Sequence, residues 1–314
     1  MIVLSGNRIR MRKPCVLAVG KFESIHLGHR ALVDQMMRLA QPGLASALVV
    51  FEPHPYRVLF DPEYKPLFTR KEREYLVRGL GVDYLLEYPF DRDFAALSPG
   101  TFCVRLYDDL QAKIIVVGEG YRFGHKRKGK VGTLRRMARH YKAQVHVISP
   151  HGRPQEGMPN HGDLNKTSTS TIRTLLSENK LQEAESLLGY PFFVMGEVTP
   201  GRQLGRTIGF PTINLYPSNE KFLLADGVYA TRTIIGANCY KGITNIGLRP
   251  TVETADVSRS VETHLLDFEG GDLYGKQVRV EFLRFIRPEQ KFESLDALKA
   301  QIAKDLLDFL GNFE

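Results

Sequence analysis

A chain of 314 residues with 43% hydrophobic and 25% charged residues has the length of two domains and the composition of a protein with a buried core, which excludes a disordered or low-complexity chain. No stretch approaches the roughly 20 apolar residues that a membrane-spanning helix needs. The net charge of +8, from 43 basic against 35 acidic residues, suits an anionic ligand anywhere between a nucleotide and a nucleic acid. Cys15, Cys103 and Cys239 stand far apart without CxxC spacing, which argues against a disulfide framework or a zinc site. With polar and basic residues directly after 1–5, no secretory signal is expected, and the chain reads as cytoplasmic with reduced thiols.

Taken in order, short apolar runs alternate with helical spacing through the first half. Residues 15–19 read as a buried strand, and Leu32, Met36 and Leu39 place 30–39 on a helix. Residues 46–51 form a second strand. Thr69 with Glu72 makes a capping box for a helix through Leu80, and Ser98 with Pro99 starts another that runs to about Leu110. A third strand at 114–117, a basic helix at 133–141 and a fourth strand at 145–148 follow. Strands of this kind, separated by helices, imply an α/β domain with a doubly wound parallel sheet and ligands at the carboxyl ends of its strands.

Residues 149–166 are polar and rich in Pro, Gly and Asn, the composition of an exposed loop. Helical patterns then run over 170–188 and stop at Gly189, a good C-cap. Beyond Tyr190 the texture changes to strand-like runs at 192–198, 228–235, 240–246, 261–266 and 278–285, with turns and no helix between them. That pattern predicts a small antiparallel β-barrel. It is closed by an amphipathic helix at 294–310 with Leu295, Leu298, Ile302, Leu306 and Leu310 on one stripe. The domains expected are therefore 1–189 and 190–314.

The first chemical signal follows the first strand. Gly20-Lys-Phe22-Glu-Ser-Ile-His26-Leu-Gly28-His29 leads straight into a helix, and a strand, a glycine turn and a helix start form an anion site from free N–H groups and the helix dipole. His26 and His29 put two imidazoles beside that anion, able to stabilise charge growing on phosphorus. Either histidine alone fits a plain helix cap. A second anion site is suggested by Ser168, Thr169 and Ser170 at a helix start with Arg173 in its first turn, although hydroxyl residues there are also ordinary caps. The glycines of 118–124 imitate a dinucleotide fingerprint with spacing one residue too wide, and no Walker A pattern occurs.

The His-x-Gly-His pattern after strand one, together with the Ser/Thr-rich stretch ending in Ile172-Arg173, resembles the nucleotidyltransferase superfamily. Phe51-Glu-Pro53-His54-Pro55, Arg122-Phe123-Gly124 and the whole second half narrow the resemblance to the bacterial bifunctional riboflavin kinase/FAD synthetase family. In that half the matching motifs are Gly201-Arg-Gln-Leu-Gly205-Arg206, Pro211-Thr212-Ile-Asn214, Asn245 to Thr251 with Arg249, Val261-Glu262-Thr-His264 and Asp272-Leu-Tyr-Gly275. The resemblance implies ATP phosphates at Gly20, Phe22, Gly28, Ser168, Thr169, Ser170, Arg173, Gly201, Gly205 and Arg206. It implies flavin contacts at Phe51, Pro53, His54, Arg122, Phe123 and Arg249, Mg²⁺ held by Thr212 and Asn214, and Glu262 as the base for riboflavin phosphorylation, with His26 and His29 acting in adenylyl transfer. The substrates implied are riboflavin, FMN and ATP, and the products FMN and FAD.

The chain departs from the family pattern Gly-Asn-Phe-Asp-Gly-Val-His at Lys21, Glu23 and Ser24, and Gly120 stands where an Asn or Asp is usual. Ser24 matters if its position needs a positive φ. Two alternatives follow: a riboflavin kinase with a weakened adenylyltransferase, and a nucleic-acid binder using the basic cluster from Arg122 to Lys130. The second lacks aromatic residues interleaved for base stacking and any recognised binding signature. No nucleic-acid or membrane partner is expected, and the sequence sets no oligomeric state.

Overall fold

The computed structural model describes residues 1–149, 167–201, 209–250 and 257–310. Gly205 and Arg206 lie outside the described residues, as does the side chain of Arg249. The chain divides into two compact units, Met1–Thr169 and Ser170–Glu314.

In the first unit, strands β1 (Ile2–Ser5), β2 (Cys15–Val19), β3 (Ala45–Glu52), β4 (Tyr84–Pro89), β5 (Ala112–Gly118) and β8 (Gln144–Ile148) pair in the order β1-β4-β3-β2-β5-β8. Every pairing is parallel. The apolar run of β2 is continuous because both of its faces are covered. Cys15, Leu17 and Val19 enter one core with Val49, Ile115 and Val117, while Val16 and Ala18 enter another with Leu48, Val50 and Val116. Burying two faces of a sheet needs helices on each side. The helices of this unit are α1 (Leu27–Leu39), α2 (Pro55–Leu59), α3 (Arg70–Arg78), α4 (Arg92–Ala95), α5 (Pro99–Val104) and α6 (Val131–His140). A small hairpin, β6 (Arg122–Phe123) with β7 (Gly129–Lys130), precedes α6.

Strands β1 and β4 were not expected from the sequence. The charged Glu87 interrupts the apolar run of β4, yet it is 1% exposed, because Arg70 at 2.8 Å and Arg73 at 3.0 Å neutralise it from α3. The capping box of Thr69 and Glu72 forms as expected. The helix expected over 98–110 starts at the Ser98 cap but widens into a π-turn over Arg105–Asp109.

Sheet order reverses at β2, with β3 and β4 on one side and β5 and β8 on the other. In doubly wound sheets ligands lie at that reversal, outside the carboxyl ends of the strands. Gly20 follows β2 and Gly120 follows β5, so both chemical turns open there.

In the second unit, the helical stretch expected over 170–188 breaks at Asn179 (φ 57°) into α7 (Thr169–Ser177) and α8 (Leu181–Leu188), and Gly189 caps α8 with φ 80°. Strands β9 (Phe193–Glu197), β10 (Thr212–Leu215), β11 (Gly227–Ile235), β12 (Asn238–Pro250), β13 (Val257–Leu265) and β14 (Gln277–Pro288) form an antiparallel sheet in the order β10-β13-β12-β11-β14-β9. A bridge between Thr199, just past β9, and Asn214 of β10 joins its two ends, as a barrel requires. Strand β10 has four residues, too few for periodicity to register in the sequence. Helix α9 (Leu295–Leu310) docks through Phe309 against Val228, Ala230 and Ile243. Arg287 grips the buried Asp305 of α9 with bonds of 2.8–3.1 Å.

Candidate active sites

The turn after β2 is held in a shape most residues avoid. Phe22 and Ile25 have φ of 45° and 44°, a left-handed conformation that costs an L-residue about 1–2 kcal/mol each. Both side chains are fully buried, and burying such a side chain returns about 1.5–3 kcal/mol. Ser24 is not among the positive-φ residues, so its position has no need of glycine. Its hydroxyl instead lies 3.3 Å from that of Thr169.

His26 is the N-cap of α1, its Nδ1 accepting a 3.2 Å bond from the His29 amide. That acceptor role puts the proton of the neutral ring on Nε2. The two rings stack with centroids 3.8 Å apart, and Phe22 supports His29 from 4.8 Å. A Cβ on Gly28 would lie 3.1 Å from the His26 ring, so glycine lets that ring fold back over the turn. Burial pushes the His26 imidazolium down to about 4. Burial, with His26 and the charge of Lys21 adding to it, holds His29 well below the ordinary histidine range. Both rings are thus neutral near pH 7. Among the described residues, Nδ1 of His29 is buried without a hydrogen-bond partner.

The Phe22 ring is packed inside, where it supports His29. Glu23 likewise turns away from the open side. Its carboxylate accepts bonds from the Tyr64 hydroxyl and the Leu67 amide, each 2.8 Å, and lies 3.3 Å from His54 Nε2.

Beside this turn lies a cleft of about 840 Å³, within the size range of small-molecule sites, whose walls are largely aromatic. Gly20, Lys21, Phe51, Gly120, Arg122 and Phe123 line it, joined by Tyr56, Leu59, Phe60, Phe90, Phe94, Tyr121 and the cations Lys126 and Arg127. Gly20 and Lys21 belong both to the histidine turn and to this cleft. Of the residues expected to meet a flavin here, Phe51, Arg122 and Phe123 come together. Pro53 and His54 do not line the cleft: Pro53 is exposed, and His54 caps α2, accepting from the Tyr56 amide at 3.2 Å, stacked on Tyr64. The basic cluster is split by this geometry, with Arg122, Lys126 and Arg127 on the cleft wall. Phe90, Phe94 and Tyr121 escaped the sequence reading because the 90–94 segment and Tyr121 are distant in the chain and meet only in the fold.

The other group of candidates sits on three adjacent strands. Asn214 of β10 and Asn245 of β12 are both register partners of Glu262 on β13, which puts three polar side chains in one row on one face of the sheet. Alternation holds around Glu262: it is partly exposed, whereas Val261 and Thr263 are fully buried. Ser260 donates to its Oε1 at 3.2 Å. Thr212 lies opposite His264, whose Nδ1 is 2.9 Å from the Pro211 carbonyl. Asn214 is 5% exposed, and a Cβ on Gly201 would fall within 2.7 Å of its amide group, so only glycine lets the chain pass over it. Ser170 and Arg173 belong to the second unit, where the Arg173 guanidinium lies 5.0 Å over the Phe222 ring. Among the described residues no cluster of His, Cys, Asp or Glu could hold a metal by itself.

Comparison with known proteins finds a family match in each half of the chain. Residues 8–159 match the FAD synthetase family and residues 188–310 the riboflavin kinase family. A bifunctional riboflavin kinase/FMN adenylyltransferase of Escherichia coli strain K12 is 39% identical over 305 residues, covering 95% of this chain and 93% of its own. The chain belongs to the bifunctional riboflavin kinase/FMN adenylyltransferase family. Family members of Listeria monocytogenes and Bacillus subtilis are each 33% identical, covering 93% and 95% of this chain and 90% and 92% of theirs. A solved structure described as a macrolide-efflux protein from Streptococcus pneumoniae superposes with a TM-score of 0.81 at 28% identity, over 100% of both chains. Among the described residues no helix is long and apolar enough to cross a membrane. The histidine turn and the aromatic cleft fall inside the FAD synthetase match. The row of Asn214, Glu262 and Asn245 falls inside the riboflavin kinase match.

Proposed function

We propose that domain 190–314 transfers the γ-phosphoryl group of ATP to the ribityl 5′-hydroxyl of riboflavin, giving FMN and ADP. Domain 1–189 then joins the FMN phosphate to the α-phosphorus of a second ATP, giving FAD and pyrophosphate. The observation that carries the reading is the sharing of Gly20 and Lys21 between an anion-binding turn and an aromatic cleft. An apolar, planar ring system with a phosphate at one end fits that juxtaposition.

In the kinase domain, Glu262 accepts the proton of the attacking hydroxyl, oriented by the Ser260 hydroxyl that already bonds it. The side-chain oxygens of Thr212 and Asn214 suit a hard cation that takes waters and phosphate oxygens as its other ligands. These residues would hold Mg²⁺, which would neutralise charge on the ATP phosphates. In the transferase domain, neutral His26 and His29 donate hydrogen bonds to the phosphate oxygens as charge grows on them, and Thr169 is positioned by Ser24. Incubating the protein with riboflavin, ATP and Mg²⁺ and separating the flavins tests the reading: FMN should form first and FAD after it. Absence of both products overturns it.

A further inference from the structure

Glu23 lies between the two left-handed residues of the histidine turn, Phe22 and Ile25, and its 3% exposure leaves its carboxylate no route to a ligand. Such a buried charge is costly unless paired, and here three groups from one distant segment serve it. The Tyr64 hydroxyl and the Leu67 amide donate to it, and His54 Nε2 stands 3.3 Å away. His54 is fixed in turn, because its Nδ1 caps α2 and its ring stacks on Tyr64. The same short helix gives the cleft Pro55, Tyr56, Val58 and Leu59, followed by Phe60. One carboxylate therefore joins the turn that carries His26 to the segment that walls the aromatic cleft.

We propose that Glu23 is a positioning residue for adenylyl transfer, tying α2 to the histidine turn so that seating the flavin and seating the nucleotide depend on each other. This rests on the functional reading above. A carboxylate with fixed partners on both segments transmits a shift of either one, since the buried pairs cannot stretch without losing hydrogen bonds to a charged group. Glu23 itself touches neither substrate.

Tyr64→Phe tests it cleanly. Tyr64 does not line the cleft, and phenylalanine keeps the ring stacked on His54 while removing one bond to Glu23. FAD formation from FMN and ATP in the full-length protein reads only the adenylyl site, because the kinase makes no FAD. With both substrates varied, the parent's KM for FMN should fall several-fold as ATP rises to saturation. In Tyr64→Phe that fall in KM should drop to about twofold or less with kcat held within about twofold, because one of the bonds that tie the two segments together is lost. Glu23→Gln should abolish the dependence, and Glu23→Asp, which keeps the charge, should recover part of it. Phosphorylation of riboflavin should stay unchanged in all three, which shows that the protein is folded. Tyr64→Phe kinetics identical to the parent, or Asp and Gln variants that behave alike, overturn the inference while the functional reading stands. A parent that phosphorylates riboflavin but makes no FAD overturns the reading of the first domain and the inference with it.

Discussion

Asn214 and Glu262 face each other as register partners on β10 and β13. An amide oxygen suited to a hard cation and a carboxylate suited to a hydroxyl proton are thus held side by side by backbone hydrogen bonds rather than by flexible loops. A phosphoryl donor bound at the one and an alcohol at the other would be brought together, and positioning is most of what phosphoryl transfer asks of a protein.

Glu262→Gln should therefore lower FMN formation from riboflavin by about 10²- to 10⁴-fold, the usual cost of losing a general base. Conversion of FMN to FAD should remain near the parent rate. The amide still accepts from Ser260, so the strand pairing should survive. A kinase rate within about threefold of the parent would remove the proposed role.

Thr212→Ala and Asn214→Ala should shift the Mg²⁺ dependence of the kinase to higher concentration, since each deletes one oxygen from the cation site. The effect should be larger for Asn214, which is buried beneath Gly201, because its loss also opens space under that backbone. Titration of Mg²⁺ at fixed ATP separates the outcomes. Unchanged magnesium curves in both variants would put the cation elsewhere.

Gly120→Asn should lower the KM for FMN in FAD formation about three- to tenfold, the worth of roughly one net hydrogen bond. Gly120 lines the cleft, and a Cβ built on it meets nothing within 4 Å, so the larger side chain enters open space. Riboflavin phosphorylation reports on folding. A raised KM for FMN would show that the cleft needs glycine there.

Much of this was legible from local pattern. Continuous apolar runs gave the buried parallel strands, and the change of texture after Gly189 gave the antiparallel sheet. The His-x-Gly-His turn and Pro211 to Asn214 stood out because their residues are contiguous. What escaped was whatever depends on distant pairing. Glu87 looks like a surface residue until Arg70 and Arg73 arrive from α3. Glu23 looks like part of a phosphate site until Tyr64, Leu67 and His54 claim it. His54, read as a flavin contact, caps α2, and Phe22, read as a phosphate neighbour, supports a histidine from inside. The aromatic cleft joined the 90–94 segment, with Phe90 and Phe94, to the distant Tyr121, a meeting that no local spacing encodes.

Acid should destabilise the first domain before carboxylates titrate. Unfolded histidines titrate near 6.5, whereas burial lowers His26 to about 4 and holds His29 low as well. Between those values the unfolded chain binds protons that the folded chain refuses, so stability should fall as pH drops from about 6.5 and be level above about 7.5. His26→Asn keeps a good N-cap and removes one such group, so its stability should decline less steeply. Denaturant midpoints at pH 7.5, 6.5 and 5.5 read the slope, and equal slopes in parent and variant would mean that His26 is not held neutral.

The two histidines give the decisive test of the transferase site. His26→Ala and His29→Ala should each cut FAD formation from FMN by about 10²- to 10³-fold, the cost of one transition-state donor, and leave riboflavin phosphorylation intact. Their neutrality strengthens the expectation: an imidazole that donates through Nε2–H needs no added proton, so the parent rate should not rise on acidification through pH 6.5. The parent should itself make FAD. Ser24 meets Thr169 without strain, Lys21 keeps positive charge where turn and cleft join, and the imidazoles stack 3.8 Å apart with Nδ1 of His29 buried and unpartnered among the described residues. Gly120 is the remaining weakness, and it bears on FMN binding rather than on the chemical step, so KM should be raised while kcat is preserved. Chromatography of the products from FMN and ATP decides the matter. If the parent makes no FAD while phosphorylating riboflavin at a normal rate, the domain is a kinase's silent companion and the stacked histidines serve only to cap α1.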